Sequence, residues 1–88
     1  MTAFRERSIR IACLLEAKGQ TSTKEIRTLG MEECIVPLSK NYDHWFQRIQ
    51  KGVYALSEEG KAALEQTDYK EAVRFYRKEM QERKEEWT

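Results

Sequence analysis

Few side chains in this 88-residue chain have the types and spacing that chemistry needs. The one histidine, His44, stands directly before Trp45, where we expect a partly buried turn residue rather than a general base. Cys13, Cys34 and His44 are too few and too scattered for a zinc site, which takes four ligands and often takes them as close pairs. Both cysteines fall within apolar helical patterns, which predicts that they are reduced and buried in the core.

Two pairs of neighbouring carboxylates, Glu32-Glu33 and Glu58-Glu59, are the other candidates for catalytic groups. Each pair is expected at the start of a helix, where the helix dipole favours negative charge. A structural role therefore explains them without a paired-acid mechanism. The residues taken alone predict that this chain is not an enzyme and uses no cofactor and no metal.

Basic and polar side chains indicate a different kind of site, one that contacts duplex DNA. Lysine and arginine would bind phosphates, and serine or asparagine would meet base edges. About five basic residues predict weak binding that loses on the order of 10² or more in affinity between ~50 and ~200 mM salt. Solvated surface charge is the competing interpretation, and Glu32 and Glu33 would repel a phosphate backbone. The candidate residues are Lys24, Arg27, Ser39, Lys40, Asn41, Arg48 and Lys51.

Composition and charge set limits on the class of protein. The formal net charge is +1, with 35% charged and 40% hydrophobic residues, which is typical of a globular domain without a wholly basic surface. Positive charge is concentrated towards the N-terminus, and the C-terminal third is acidic. No apolar run approaches a membrane span, and the first ten residues lack a signal-peptide pattern, so we expect a cytoplasmic location.

The elements that must position these side chains begin with two helices. Apolar spacing predicts a helix over 4–18 that ends at Gly19. Ser22 and Glu25 have the spacing of a capping box and predict the start of a short second helix, which Gly30 ends. A third short helix should follow, with Pro37 causing either a late start or a kink.

A β-hairpin is predicted next, from "WFQRIQ" and "VYALS" joined by Lys51-Gly52. A strict two-residue loop would place Ile49 opposite Tyr54 and Gln47 opposite Leu56, although a bulged turn would shift this register. The expected inner face consists of Trp45, Ile49, Tyr54 and Leu56.

Two further helices complete the chain. Ser57 is expected to cap the first, and Asp68 with Glu71 has the spacing of a second capping box. The last helix carries an apolar stripe that could pair with a second copy or with a partner domain, or could fold back on the first helix. The stripe consists of Val73, Tyr76 and Met80.

This order of elements predicts a fold that is mainly α with a β-hairpin, a winged helix-turn-helix plus an extra C-terminal helix. We expect residues 1–88 to form one domain, with a winged-helix core over 5–66 and the added helix over 69–86. The hairpin would be the wing and would lie against the three-helix bundle.

The stretch "LSKNYDHWFQRIQKGVYALSEEG" is similar to a string found in a bacterial family, W-F-x-R-[VI]-x-[KR]-G-[VI]-Y-x-L-[ST]-x-x-G. The chain resembles the C-terminal winged-helix domain of that family, whose N-terminal half resembles a PD-(D/E)XK phosphodiesterase. The matching residues are Trp45, Phe46, Arg48, Ile49, Lys51, Gly52, Val53, Tyr54, Leu56, Ser57 and Gly60.

The resemblance implies a winged-helix module that assists a nuclease-like domain or a regulator by weak binding to duplex DNA. The alternative is a module for protein docking or dimerisation, in which the last helix contacts a nuclease-like domain or a second copy. Neither function requires a membrane.

Overall fold

The computed structural model describes residues 1–88 as five α-helices and a three-stranded antiparallel sheet. The bounds are α1 Ala3–Lys18, β1 Thr21–Ser22, α2 Thr23–Thr28, α3 Ile35–Lys40, β2 Phe46–Gln50, β3 Val53–Leu56, α4 Glu58–Ala63 and α5 Lys70–Glu82. Single 3-10 turns lie at Glu32–Cys34, Thr67–Tyr69 and Lys84–Glu86. The predicted fold class, mainly α with a β-hairpin, is confirmed.

Local capping chemistry sets the ends of the first helices as predicted. Gly19 has φ 92°, a left-handed conformation that suits glycine, and α1 ends before it. The Glu25 amide donates to Ser22 Oγ at 3.1 Å, while the Ser22 amide donates to Glu25 Oε1 at 3.2 Å. This capping box starts α2. Ser57 likewise caps α4 by accepting a hydrogen bond from the Gly60 amide at 3.0 Å.

The predicted second capping box is wrong. A 3-10 turn over Thr67–Tyr69 leads into α5, and the residue before α5, Tyr69, makes no capping hydrogen bond through its side chain. Asp68 therefore lies inside the 3-10 turn, one residue too early to cap the helix. Spacing alone does not distinguish a 3-10 entry from a direct helix start.

The third helix begins late, as one of the two alternatives for Pro37 predicted. The 3-10 turn ends at Cys34, and α3 begins at Ile35. Pro37 thus lies in the first turn of α3, where its missing N–H removes no intrahelical hydrogen bond. Lys40 is the last residue of α3, because Asn41 adopts a left-handed conformation with φ 48°.

The sheet has strand order β1-β3-β2, and the two-residue β1 was too short to predict. The turn at Lys51-Gly52 is as expected, and the register is that of the bulged alternative rather than that of a strict two-residue loop. Arg48, not Ile49, lies opposite Tyr54, because the ladder is irregular between Arg48 and Gln50. Ile49 is 44% exposed, so it leaves the predicted inner face.

The core contains sixteen buried hydrophobic residues, and α1 contributes the largest share. The most extensive helix contact joins α1 to α5, which brings Val73 and Met80 into that core. Cys13 and Cys34 are buried and free, as predicted. No helix combines the length and apolar composition that crossing a bilayer requires.

Ion pairs reinforce the contact between α1 and α5. Arg10 donates to both carboxylate oxygens of Glu79, at 2.9 and 2.6 Å, and Arg77 donates to both of Glu16, at 2.9 and 2.8 Å. The Arg10 hydrogen bonds hold the pKa of Glu79 below its ordinary value. Bidentate pairs of this type fix the relative rotation of the two helices.

Candidate nucleic-acid interface

The tip of the hairpin is joined to the start of α2. The Thr23 amide donates to the Gly52 carbonyl at 2.8 Å, and Ser22 pairs with Val53 in the β1–β3 ladder. Gly52 has φ 74°, so the turn needs a residue that tolerates a left-handed backbone. The hairpin tip and the first turn of α2 therefore form one corner of the molecule, which we call the tip corner (residues 21–24 and 51–53).

Three of the predicted phosphate-binding residues lie at or next to the tip corner. Lys24 follows Thr23 directly, Lys51 lies in the turn, and Arg48 lies on β2 towards the tip. All three side chains are exposed, and none pairs with a carboxylate. Arg27, on the same short helix, is only loosely paired, with its Nε 3.8 Å from Glu32 Oε1.

The predicted base-reading residues have hydrogen bonds of their own. Asn41 Nδ2 donates to the Phe46 carbonyl at 2.7 Å, and the Phe46 amide donates to Asn41 Oδ1 at 3.1 Å. Ser39 Oγ donates to the Val36 carbonyl at 3.1 Å. The Asn41 amide thus closes the connection between α3 and β2, whereas the neighbouring Lys40 is exposed and unpaired.

The predicted residues of the hairpin region are spread along β2. Lys40 and Asn41 lie at the base of the hairpin, and Arg48 and Lys51 lie towards its tip. The side chains from Gln47 to Gln50 are all exposed along this outer strand. Five strand residues at ~3.4 Å each span ~17 Å. The cations therefore lie in a row along the outer strand β2 rather than in one cluster.

Acidic residues limit this surface near the start of α3. Glu32 and Glu33 are exposed, and Glu33 accepts a hydrogen bond from Arg10 at 2.9 Å. Val36, on the outward side of α3, is 51% exposed. The first turn of α3 is thus unfavourable to a phosphate backbone, and favourable contacts are confined to its C-terminal end and the hairpin.

The predicted protein-interaction stripe lies mostly inside the protein. Val73 and Met80 are 2% and 1% exposed, because α5 folds back on α1. Tyr76 is partly buried, and its burial raises the pKa of its hydroxyl. The sequence left folding back as an alternative, and that alternative describes the structure. Docking through this helix would have to use its other face.

Sequence reasoning missed one exposed aromatic residue at the base of the hairpin. Tyr42 is 68% exposed and follows Asn41 directly. An aromatic residue in a polar turn, here between Asn41 and Asp43, was the available signal, since such turns favour small polar side chains.

Comparison with protein families gives one match. The model described as "Putative PD-(D/E)XK phosphodiesterase (DUF2161)" covers residues 1–63. The chain belongs to this family. No curated protein matches the chain, and no solved structure does either.

The family match corrects the prediction that this chain is not an enzyme. The matched region covers most of the chain, and its family is described by a phosphodiesterase activity. The description of the chain as a DNA-binding winged-helix module is corrected for the same reason. The string from Trp45 to Gly60 correctly indicated a family related to PD-(D/E)XK phosphodiesterases, but the prediction of a non-enzymatic domain rested on the lack of a recognisable catalytic group.

The family name implies an acidic motif of the kind that holds a divalent metal for phosphodiester cleavage. The residues of this chain do not fit such a site. Its one proline, Pro37, precedes Leu38 rather than an aspartate. Acid-x-Lys tripeptides occur, for example Glu16 to Lys18, but Glu16 is paired with Arg77 and Lys18 with Glu25. No three His, Cys, Asp or Glu side chains are grouped closely enough to hold a metal ion.

Proposed function

We propose that this chain is the part of a phosphodiesterase that holds the nucleic-acid substrate. The nuclease-like region of the family is the partner that this surface would serve. The observation that carries the proposal is the tip corner, where Thr23 and Gly52 hold Lys24 and Lys51 together without carboxylate partners. Because the backbone of the tip corner is already fixed, binding a phosphate has to order only the lysine side chains.

Charge pairing elsewhere in the molecule supports this choice of surface. Three arginines elsewhere are paired with carboxylates: Arg10 on α1 with Glu79, Arg77 within α5 with Glu16, and Arg83 directly after α5 with Glu86. The cations along the hairpin, Lys40, Arg48 and Lys51, have no carboxylate partner. Cations that neutralise phosphates release the counterions condensed on the nucleic acid, and this release provides essentially all of the affinity of non-specific binding.

The dimensions of the edge suit a duplex. The ~17 Å between the base and the tip of the hairpin corresponds to about five base pairs at ~3.4 Å per pair. Four phosphate contacts, from Lys24, Lys40, Arg48 and Lys51, predict an affinity that falls about 10²-fold between ~50 and ~200 mM salt. Such binding is weak by itself and would position a substrate for a second domain.

A charge-reversal experiment tests the proposal. Fluorescence anisotropy of a labelled duplex of about 20 base pairs, at about 50 mM salt, gives the affinity of the unsubstituted protein. The double variant Arg48→Glu with Lys51→Glu should lose at least ~10-fold in affinity, because two favourable phosphate contacts become repulsive.

The matched control is Arg74→Glu with Lys78→Glu, which makes the same charge change on exposed, unpaired residues of α5. Equal losses in both double variants would mean that net charge alone governs binding and would refute the assignment of this edge. Absence of binding by the unsubstituted protein at low salt would refute the function itself. In an NMR titration, amide shifts should cluster within residues 38–52.

Docking through α5 has weaker support. Phe75 is 68% exposed, and its ring meets that of the partly buried Tyr76 edge-on at 5.1 Å, so the Phe75 ring faces outwards from α5. Two of the three predicted contact residues are in the core. If α5 nevertheless mediates dimerisation or contact with a nuclease-like domain, Tyr76→Glu should convert a dimer to a monomer in light scattering.

A further inference from the structure

The turn between α3 and β2 holds two non-glycine residues in left-handed conformations. Asn41 has φ 48°, and His44 has φ 58°. Asparagine tolerates this region, but histidine does so less often, and each such residue costs on the order of 1 kcal/mol. Strained backbone of this kind persists only where the surrounding structure holds it in place.

Contacts from three directions hold the turn. Asn41 and Phe46 exchange two hydrogen bonds across it. Ser57 Oγ donates to the His44 carbonyl at 2.6 Å, from the start of α4. The Arg5 guanidinium donates to Asp43 at 2.6 Å and lies 4.8 Å from the centre of the Trp45 ring. The backbone of the turn is therefore fixed by α1, by α4 and by its own closing pair.

This fixed turn presents Tyr42 to solvent. Its exposure of 68% is the largest among the aromatic residues, shared only with Phe75. The ring has one aromatic neighbour, Phe4, with centroids 5.7 Å apart and planes inclined by 40°. An exposed aromatic ring on a fixed backbone, two residues after the unpaired Lys40, has the composition of a site that stacks a nucleobase and contacts its phosphate.

We propose that Tyr42 stacks on an unpaired nucleobase and that Lys40 contacts the adjoining phosphate. This inference rests on the proposed function, binding of nucleic acid by the same surface. The carboxylate beside Tyr42, Asp43, is neutralised by Arg5 and would not repel that phosphate. The duplex would lie along the hairpin towards the tip corner, and the unpaired nucleotide would lie at its base. The substrate class assigned to this surface is therefore a duplex that ends in a single-stranded segment.

Three fluorescent probes separate stacking from charge. The first is a blunt duplex of about 20 base pairs, the second adds a single-stranded tail of about six nucleotides, and the third has a tail of equal length without bases. The unsubstituted protein should bind the normal tailed probe about tenfold more tightly than the blunt probe. The baseless tail should restore little of this preference, because it offers phosphates and no ring to stack on.

Variants of Tyr42 assign the preference to its ring. Tyr42→Ala should reduce the tailed-to-blunt ratio to about one, whereas Tyr42→Phe should keep it, since both rings stack. Phe75→Ala is the matched control, because Phe75 is equally exposed on a different element, and it should leave the ratio unchanged. Circular dichroism checks that each variant is folded.

The outcomes distinguish this inference from the proposed function. Equal binding of blunt and tailed probes, or a preference that survives Tyr42→Ala, would overturn the stacking site and leave duplex binding intact. A preference equally strong for the baseless tail would also overturn it, because charge would then explain the effect. Failure to bind any of the three probes would overturn both proposals.

Discussion

Gly60→Ala should destabilise the protein, although alanine is the better helix former. Gly60 lies in α4, and a β-carbon at this position would fall 2.3 Å from the Trp45 carbonyl oxygen and 2.5 Å from Leu56 Cδ1. Favourable contacts between carbon atoms lie at about 3.5–4.0 Å. The Leu56 side chain can rotate, but the Trp45 carbonyl is fixed by a 2.9 Å hydrogen bond from the Ser57 amide. Either α4 or this hydrogen bond must move.

The magnitude follows from three opposing effects. Overpacking costs about 1–3 kcal/mol, and a weakened backbone hydrogen bond costs about 1 kcal/mol more. Replacing glycine by alanine within a helix returns about 1 kcal/mol. We expect a net loss of about 2 kcal/mol in the free energy of unfolding, which lowers the Tm by about 8–16 °C for a domain of this size.

Urea denaturation followed by circular dichroism measures this loss, and the fluorescence of Trp45 in a Trp87→Phe background reports on the affected contact. Ala62→Gly is the control, because Ala62 is exposed on the same helix and should lose only the propensity difference of about 1 kcal/mol. A Gly60→Ala variant at least as stable as the unsubstituted protein would refute the close packing of α4 on the hairpin.

Three further predictions concern other contacts. The hydrogen bond from Arg10 is the main cause that holds the pKa of the Glu79 carboxyl below its ordinary value of 4.5. The ion pair therefore stabilises the folded protein fully above the ordinary pKa, and this stabilisation is lost as the pH falls through the lower pKa of the folded state. Glu79→Gln should therefore be less stable at about pH 7, with the gap narrowing in urea titrations at about pH 3. Asn41→Asp removes the donor to the Phe46 carbonyl and should lower the free energy of unfolding, measured by urea denaturation, by about 1–3 kcal/mol. Unchanged stability together with altered DNA affinity would instead support a contact between Asn41 and a base. Burial raises the pKa of Cys13 to about 12 and of Cys34 to about 11, so a disulfide reagent should label neither thiol at about pH 8 until urea unfolds the chain.

Patterns of neighbouring residues predicted the helices and the hairpin, whereas contacts between residues distant in sequence could not be predicted. Ser22 with Glu25 and the Lys51-Gly52 turn depend on a few neighbouring residues, and both are confirmed. Ile49 was assigned to the wrong face because a bulge depends on the partner strand and on packing beneath it. The pairing of Arg10 with Glu79 joins residues 69 positions apart, and no periodicity in either helix indicates it.

The candidate site was predicted in its charges but not in its geometry. Lys24, Arg48 and Lys51 were chosen for their type and element, and the structure leaves them exposed. The side-chain amide of Asn41 could contact a base, yet its φ of 48° and its hydrogen bonds with Phe46 indicate that it stabilises the turn between α3 and β2. The resemblance to a phosphodiesterase-related family was indicated by the string from Trp45 to Gly60, but the enzymatic description of the matched region was not predicted, because its residues match no catalytic motif.

The seating of α5 against α1 has a consequence for related chains. The family match ends at residue 63, yet Val73 and Met80, beyond that boundary, complete the interior around α1. Any relative whose sequence diverges after this point must cover the same apolar face with a replacement segment or with a neighbouring polypeptide. A chain shortened to the matched region would expose the apolar surface of α1 around Cys13, and this exposed surface would favour self-association.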